Sequence, residues 1–364
     1  MADNKIYLAI GEETARGTKQ STTVGFIPLL SPGIPKLALD DKPRKEFRGE
    51  DSVKGDTAVR RMGQKWSASM ETPFFTEAGG QWKGAIGCLI EHLFGHVTST
   101  QNGATGQYSH MMYPVVDPFA SANLGTKALT LNLNVNEGAV MRNWPYVGAR
   151  VKSLSFTQEP GSHLKLGAEL MGQRRDATTA EIGGAVYAAE GLRCAYNNLK
   201  VYTGTITRTG TAPDYTQFAF ASATQIKPDK ISVKIDNGMD DAVRLGGLDY
   251  PDKTRMGQFK VSLELTIDWE DPESGFSSVD DWGAWVAGAS STNFCLVWDT
   301  GTQAGTGDNH GLIIDVPAAV RMGGEPSYSL EKDPMITLKY EGLYDAAACK
   351  YMAGVMLKNT AATM

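Results

Sequence analysis

Apolar side chains recur at every second position along most of this chain and at helical spacing in two short runs. Trp66, Ala68 and Met70 alternate with Lys65, Ser67, Ser69 and Glu71, as a half-buried strand requires. Leu129, Leu131, Leu133 and Val135 alternate with Thr130, Asn132, Asn134 and Asn136 in the clearest two-residue period. Residues 151–156 and 163–170 read as a hairpin with Glu159-Pro160-Gly161-Ser162 as its turn. Later strands are marked by Ile231, Val233 and Ile235, by Val261 to Ile267, and by 294–298, 312–316 and 335–340. Near the start, 5–10 reads as a strand, Gly11 to Thr18 as the turn after it, and 34–39 as a second strand. One helix is predicted from Ile86, Leu89, Ile90, Leu93 and Phe94, stopped by Gly95. The other has Ser278 as N-cap, Asp280 and Asp281 in its first turn, a buried face of Trp282, Trp285 and Val286, and Gly288 as its stop. The expected class is mainly β with a few short helices.

The pattern also repeats. Met62-Gly63-Gln64 returns as Met256-Gly257-Gln258, an offset of 256 − 62 = 194 that also aligns Lys36-Leu37 with Lys230-Ile231. The helix-ending glycines agree to within one residue, 288 − 95 = 193. The late strands of the second copy come sooner, since 320 − 151 = 169, so the first copy carries an extra loop between Thr98 and Ala128. Two related units follow, 1–172 and 225–364, each a β-sandwich or barrel flanked by a helix, with 173–224 as a junction holding strands near 199–207 and 215–220. Trp66, Leu89, Leu93, Val261, Leu263, Trp282 and Trp285 are the expected core of the repeat.

Composition narrows the function by exclusion. At 364 residues the chain can fill two cores of ordinary size, and 21% charged with 41% hydrophobic residues argues against disorder. A net charge of −6 gives no basic footprint for gripping nucleic acid. No apolar run is long enough for a signal peptide or a membrane span, so synthesis and assembly in cytoplasm are expected. Cys88, Cys194, Cys295 and Cys349 lack paired spacing and read as packed thiols. Phosphate-binding, dinucleotide and nucleophile-elbow motifs are absent. His92 and His96 stand four apart without the glutamate a metalloprotease needs, so no metal or other cofactor is expected. Seven acidic residues and no basic one lie between Val261 and Asp281, which reads as a solvated face with helix capping. Asp236-Asn237-Gly238 lacks the later ligands of a calcium loop. Trp82, Trp144 and Trp298 could form a sugar platform, but packing is favoured. No enzyme is called for.

Several segments in this order resemble the tail tube proteins of long-tailed bacteriophages. They are Gly11-Glu12-Glu13-Thr14 with Gly17-Thr18, the charged segment 44–61 before Gly63 to Ser69, the helix ending in Gly95, Tyr108 to Pro114, Tyr146 to Phe156, and Met335 to Asp345. The resemblance implies subunits that close into a ring around a continuous central barrel, rings that stack into a tube, and double-stranded DNA passing through without specific binding. It also implies location in the virion tail and contact with tape-measure, tail-terminator and baseplate or tip proteins, and no membrane partner. Since family rings commonly hold six tube units, a two-unit chain implies a trimer of pseudo-sixfold symmetry, with a hexamer of single units as the alternative. The charged segment becomes the arm reaching the next ring, through Lys42, Arg44, Lys45, Glu46, Arg48, Glu50, Asp51, Lys54 and Asp56. Competing readings are another virion β protein, such as a baseplate or decoration component, and a carbohydrate-binding module.

Overall fold

The computed structural model describes residues 6–22, 24–31, 33–43, 59–76, 85–103, 106–138, 140–244, 247–272, 274–288, 291–306, 308–328 and 333–362. Its first half holds β1 (Ile6–Glu13), β2 (Gly25–Ile27), β3 (Lys36–Pro43), β4 (Val59–Pro73), α1 (Ala85–Phe94), β5 (Val97–Gln101) and β6 (Tyr108–Met112). Then come β7 (Ala128–Glu137), β8 (Val140–Gln158), β9 (Lys165–Gly172), and the short β10 (Arg174–Arg175) and β11 (Thr179–Ala180). The second half holds β12 (Leu199–Thr211), β13 (Asp214–Ile226), β14 (Lys230–Asp236), β15 (Asp240–Ala242), β16 (Lys253–Arg255) and β17 (Lys260–Asp268). It closes with α2 (Ser278–Val286), β18 (Ser291–Gln303), β19 (Asn309–Gly323), β20 (Pro326–Ser327), β21 (Met335–Gly342) and β22 (Gly354–Asn359).

One long antiparallel sheet runs β3-β4-β9-β8-β14-β17-β21 and ends on β19 and β20. Two further sheets pack over it. The first is β2-β1-β7-β8, and the second is β13-β12-β18-β19-β22-β6-β5. β8 and β19 belong to two sheets each, because a bulge bends the strand from one layer into the other. Side chains facing inward from these sheets, together with Ile86, Leu89, Ile90 and Leu93 of α1, form one continuous core rather than two separate ones. A smaller cluster around Tyr215, Ile313 and Tyr351 lies on the other side of the β18–β19 sheet.

The strand order of the long sheet recurs. The pairing β3-β4-β9-β8-β7 in the first half is matched by β14-β17-β21-β19-β18 in the second. Irregularities coincide as well. β8 carries an extra residue, Lys152, between Val151↔Leu170 and Ser153↔Glu169, and β19 carries Met322 between Arg321↔Tyr340 and Gly323↔Lys339. A second register shift between Leu129↔Ala149 and Leu131↔Tyr146 returns between Thr292↔Ala319 and Phe294↔Val316. Both fix β8 onto β19 at one offset, 321 − 151 = 170 and 319 − 149 = 170. Since Ala68 faces Leu170 and Leu263 faces Tyr340, β4 falls on β17 at 263 − 68 = 195.

This geometry corrects the sequence register. Met62 to Gln64 lies in β4, but Met256 to Gln258 lies in coil before β17. An offset of 194 would place buried Trp66 on exposed Lys260, and a one-residue slip moves every side chain of a strand to the opposite face. Other differences are local. Gly11 to Glu13 continue β1, and the turn starts at Thr14. β2, β5 and β22 were without a sequence signal of their own, being short or buried on both faces. Ser277, not Ser278, caps α2, its Oγ accepting the Asp280 N–H at 2.9 Å. Val286 is exposed and Trp282 and Trp285 are half-buried; Trp282 packs against the core and the Trp269 ring, and Asp281 adds the bonds to Arg321 and Tyr340. The alternation of β7 is not half-buried either. Thr130, Asn132 and Asn134 are buried under crossing chain, with Asn132 donating to the Gln20 carbonyl at 2.8 Å and Ile182 N–H donating to Asn134 at 2.9 Å. The stretch 173–224 contributes the β12–β13 hairpin, which is bonded into the second sheet through β18.

Candidate assembly surface

The long sheet buries one face and presents the other as a broad polar surface. Along β14, Ile231, Val233 and Ile235 are buried while Lys230 and Lys234 are exposed; along β17, Val261, Leu263 and Leu265 are buried while Ser262 and Glu264 are exposed. Strict alternation produces this, with hydroxyls, glycines and charges of both signs on the open side. The charges pair across strands. Lys165 stands 3.3 Å from Glu71, Lys234 3.9 Å from Glu169, and Lys339 3.9 Å from Glu264. Each pair is half-exposed, so its contribution to stability is small. Its consequence is a surface with little net field.

Both ends of this sheet are open among the described residues. β3 is bonded on one side only, to β4, and β20 only to β21. Apolar side chains stand uncovered beside each edge: Ile34, Leu37 and Leu39 at one, Met322 and Tyr328 at the other. A groove bordered by Met322, Gly324, Ser327, Met335 and Lys339 follows the β20 edge. Exposed edges of this kind invite pairing with another chain.

Behind the surface, buried charges fix the strands that carry it. The Arg208 guanidinium grips Asp315 of β19 through two bonds of 2.8 and 2.9 Å, and Tyr351 donates to the same carboxylate. Burial and that carboxylate push the Tyr351 phenol far above its ordinary range. Asp281 of α2 accepts from Arg321 at 2.6 Å and from Tyr340 at 2.8 Å, and the Arg321 guanidinium lies 5.1 Å from the Trp285 ring centre. Glu13 accepts from Gly17 N–H, Thr130 hydroxyl and Gly148 N–H, yet burial still raises its pKa. Arg150 is lowered to about 9 by burial, and it stacks on Phe119 at 4.2 Å while donating to the Lys127 carbonyl.

The residues singled out from sequence fall in different places. Trp66, Leu89, Leu93, Val261 and Leu263 are buried in the continuous core. Lys42 lies on β3, whereas Arg44, Lys45, Glu46, Arg48, Glu50, Asp51, Lys54, Asp56 and Trp82 lie outside the described residues. Trp298 is buried and donates to Gln158 at 2.7 Å; Trp144 donates to Glu137 and lies under Arg175 at 4.4 Å. Trp144 and Trp298 form no shared platform. His96 is held by Asn123 and Thr98 beyond the helix end. His92 is fully buried, its Nε2 3.3 Å from Glu12, and Cys88 adds a third donor atom within 4.8 Å. Lys127 already engages Glu12 at 3.2 Å, so this group reads as the contact that ties α1 to β1. Asp236 accepts from Gly238 N–H at 2.7 Å, a turn rather than an ion loop.

Among the described residues, an extended polar sheet face ends on a strand bonded on one side only at each edge. A family model for phage tail tube proteins matches residues 3–342, and the chain belongs to that family. It is thus a structural protein of the phage tail. No curated protein matches the chain closely enough to be reported. The open edges were missed by sequence reading because long-range pairing, not local pattern, decides which strands end a sheet.

Proposed function

We propose that this chain is a two-unit tube subunit, three copies of which close into a ring of pseudo-sixfold symmetry, with rings stacked into the conduit for double-stranded DNA. The recurrence of strand order, with both bulges at one offset, carries the reading. It moves the start of the second unit to β12, because the β12–β13 hairpin meets β18 as the β1–β2 hairpin meets β7. Each chain then brings eight strands of the long sheet, and three chains make a barrel of 24. With strands about 4.8 Å apart and tilted about 40°, such a barrel spans about 48 Å between backbones, against about 32 Å for two chains. The larger leaves room for a duplex inside its side chains. The paired charges of the polar face support a lumen that does not hold phosphates.

The subunit is made in the host cytoplasm and meets the tape-measure protein inside the tube and terminator and baseplate or tip proteins at its ends. The segment beyond β3, with its mixed charges, serves as the arm to the next ring. Negative-stain microscopy of purified protein at rising concentration, with mass measurement on the particles, tests the ring. Three chains per hollow ring are expected; six would overturn the two-unit reading. Deleting Lys42 to Thr57 is expected to leave soluble rings that make no tubes, and normal tubes from that variant would remove the arm assignment.

A further inference from the structure

The chain contains one copy of its own missing interface. Where the two halves of the long sheet meet, β8 pairs with β14 through Leu154↔Ile235, Ser155↔Lys234 and Phe156↔Val233. The bulge offset of 170 carries Leu154, Ser155 and Phe156 onto Gly324, Glu325 and Pro326 at the open β20 edge. At the other edge, Leu37 faces Trp66 as Ile235 faces Val261, and Trp66 and Val261 occupy one place at 261 − 66 = 195. Leu37, Lys36 and Pro35 therefore stand where Ile235, Lys234 and Val233 stand, at 235 − 37 = 198.

We propose that the β20 edge of one copy adds antiparallel to the β3 edge of a second copy in this same register, with Gly324 opposite Leu37, Glu325 opposite Lys36 and Pro326 opposite Pro35. The inference rests on the tube reading and names the seam that joins its subunits. Pro35 and Pro326 fall at the place of Val233↔Phe156, which the Asn237 N–H to Lys152 carbonyl bond of 3.1 Å marks as a hydrogen-bonded position, so the ladder stops at the prolines. Two observations carry the register beyond the offset alone. It sets an acidic residue opposite a basic one, and both are exposed on the polar face. It also gives neighbours to side chains left bare: Leu37 is 37% exposed and its counterpart Ile235 is 0%. The contact joins two different surfaces of the same chain, so repetition generates a ring where the rotation closes and a helix where it does not.

The test is a disulfide placed across the seam. Opposite residues in an antiparallel pair have Cα atoms about 4.5–5.5 Å apart, within disulfide reach. The native cysteines are all buried. In the full-length double variant K36C/E325C, mild oxidation is expected to give a covalent closed ring, while either single variant gives none and the shifted pair A38C/E325C gives far less. Independently, K36E and E325K are each expected to raise the concentration for half-assembly about fivefold, and the double reversal K36E/E325K to restore it. Rings seen by microscopy without the K36C/E325C link, or linked equally well through A38C/E325C, would overturn the seam and leave the tube reading standing. Absence of both rings and link at every concentration would overturn the two together.

Discussion

Asp315 illustrates how a single carboxylate holds β19 against the layer behind it. It is almost fully buried, it satisfies both arms of Arg208, and Tyr351 closes its remaining approach. Changing Asp315→Asn leaves a buried guanidinium without its counter-charge, with an expected loss of about 3–5 kcal/mol in urea unfolding. The double change R208M/D315L is expected to cost much less, because both charges leave together. His92 predicts a pH effect. Burial lowers its folded pKa beneath the unfolded value of about 6.5, with Glu12 and Glu91 opposing and Arg150 reinforcing the shift. The unfolded chain therefore takes up the proton first. Stability is fully present above that value and is lost as pH falls. His110 and His310 shift the same way. Unfolding midpoints measured between pH 7.5 and 5.5 are expected to decline, and H92Q to flatten part of the decline.

Among elements, α1 and α2 differ in what secures them. α1 buries nearly every described side chain and ends at Gly95, whose φ of +89° and closeness to Pro118 leave no space for a β-carbon. α2 buries only Ser278 and relies on its cap and on Asp281. Ser277→Ala is expected to cost about 1 kcal/mol, seen as early loss of protection in α2 amides during hydrogen exchange. These elements also mark how much was legible. β4, β9, β14 and β17 were readable because one face is dry and the other wet, so Trp66 and Val261 announce themselves through alternation. β7 carried the same signal for another reason, since its asparagines bond to chain crossing above. α2 was only partly legible, because Trp282 packs on the edge of the core beside Trp269 while Trp285 lies against Arg321 and Val286 is exposed. The triplet offset of 194 did not match the strand pairing: a shared triplet is a matter of three side chains, whereas a bulge is a property of backbone pairing that no short motif records.

At the scale of the whole molecule, the balanced charges of the polar face make a prediction distinct from assembly. Tubes or rings are expected not to retain double-stranded DNA in a gel-shift assay even at about 50 mM salt, where any phosphate-binding surface would be favoured most. Retention that fades steeply with salt would mean a basic lining instead. The junction between β8 and β14 has a further consequence. A ring of six equal units built from six separate chains must form six encounters, each with its own loss of translational and rotational freedom. When two units share one chain, half of these joins are made during folding, at the effective concentration of a tether, and three remain to be made by collision. The two kinds of join are then free to diverge. The internal one is lined by buried Leu154, Phe156, Val233 and Ile235, while the proposed external one would set Leu37 against Gly324, proline against proline, and one basic residue against one acidic residue. In the proposed trimer, fusion would let one seam act as a weld and the other as a latch, engaged when the growing end of a tube presents its partner edge.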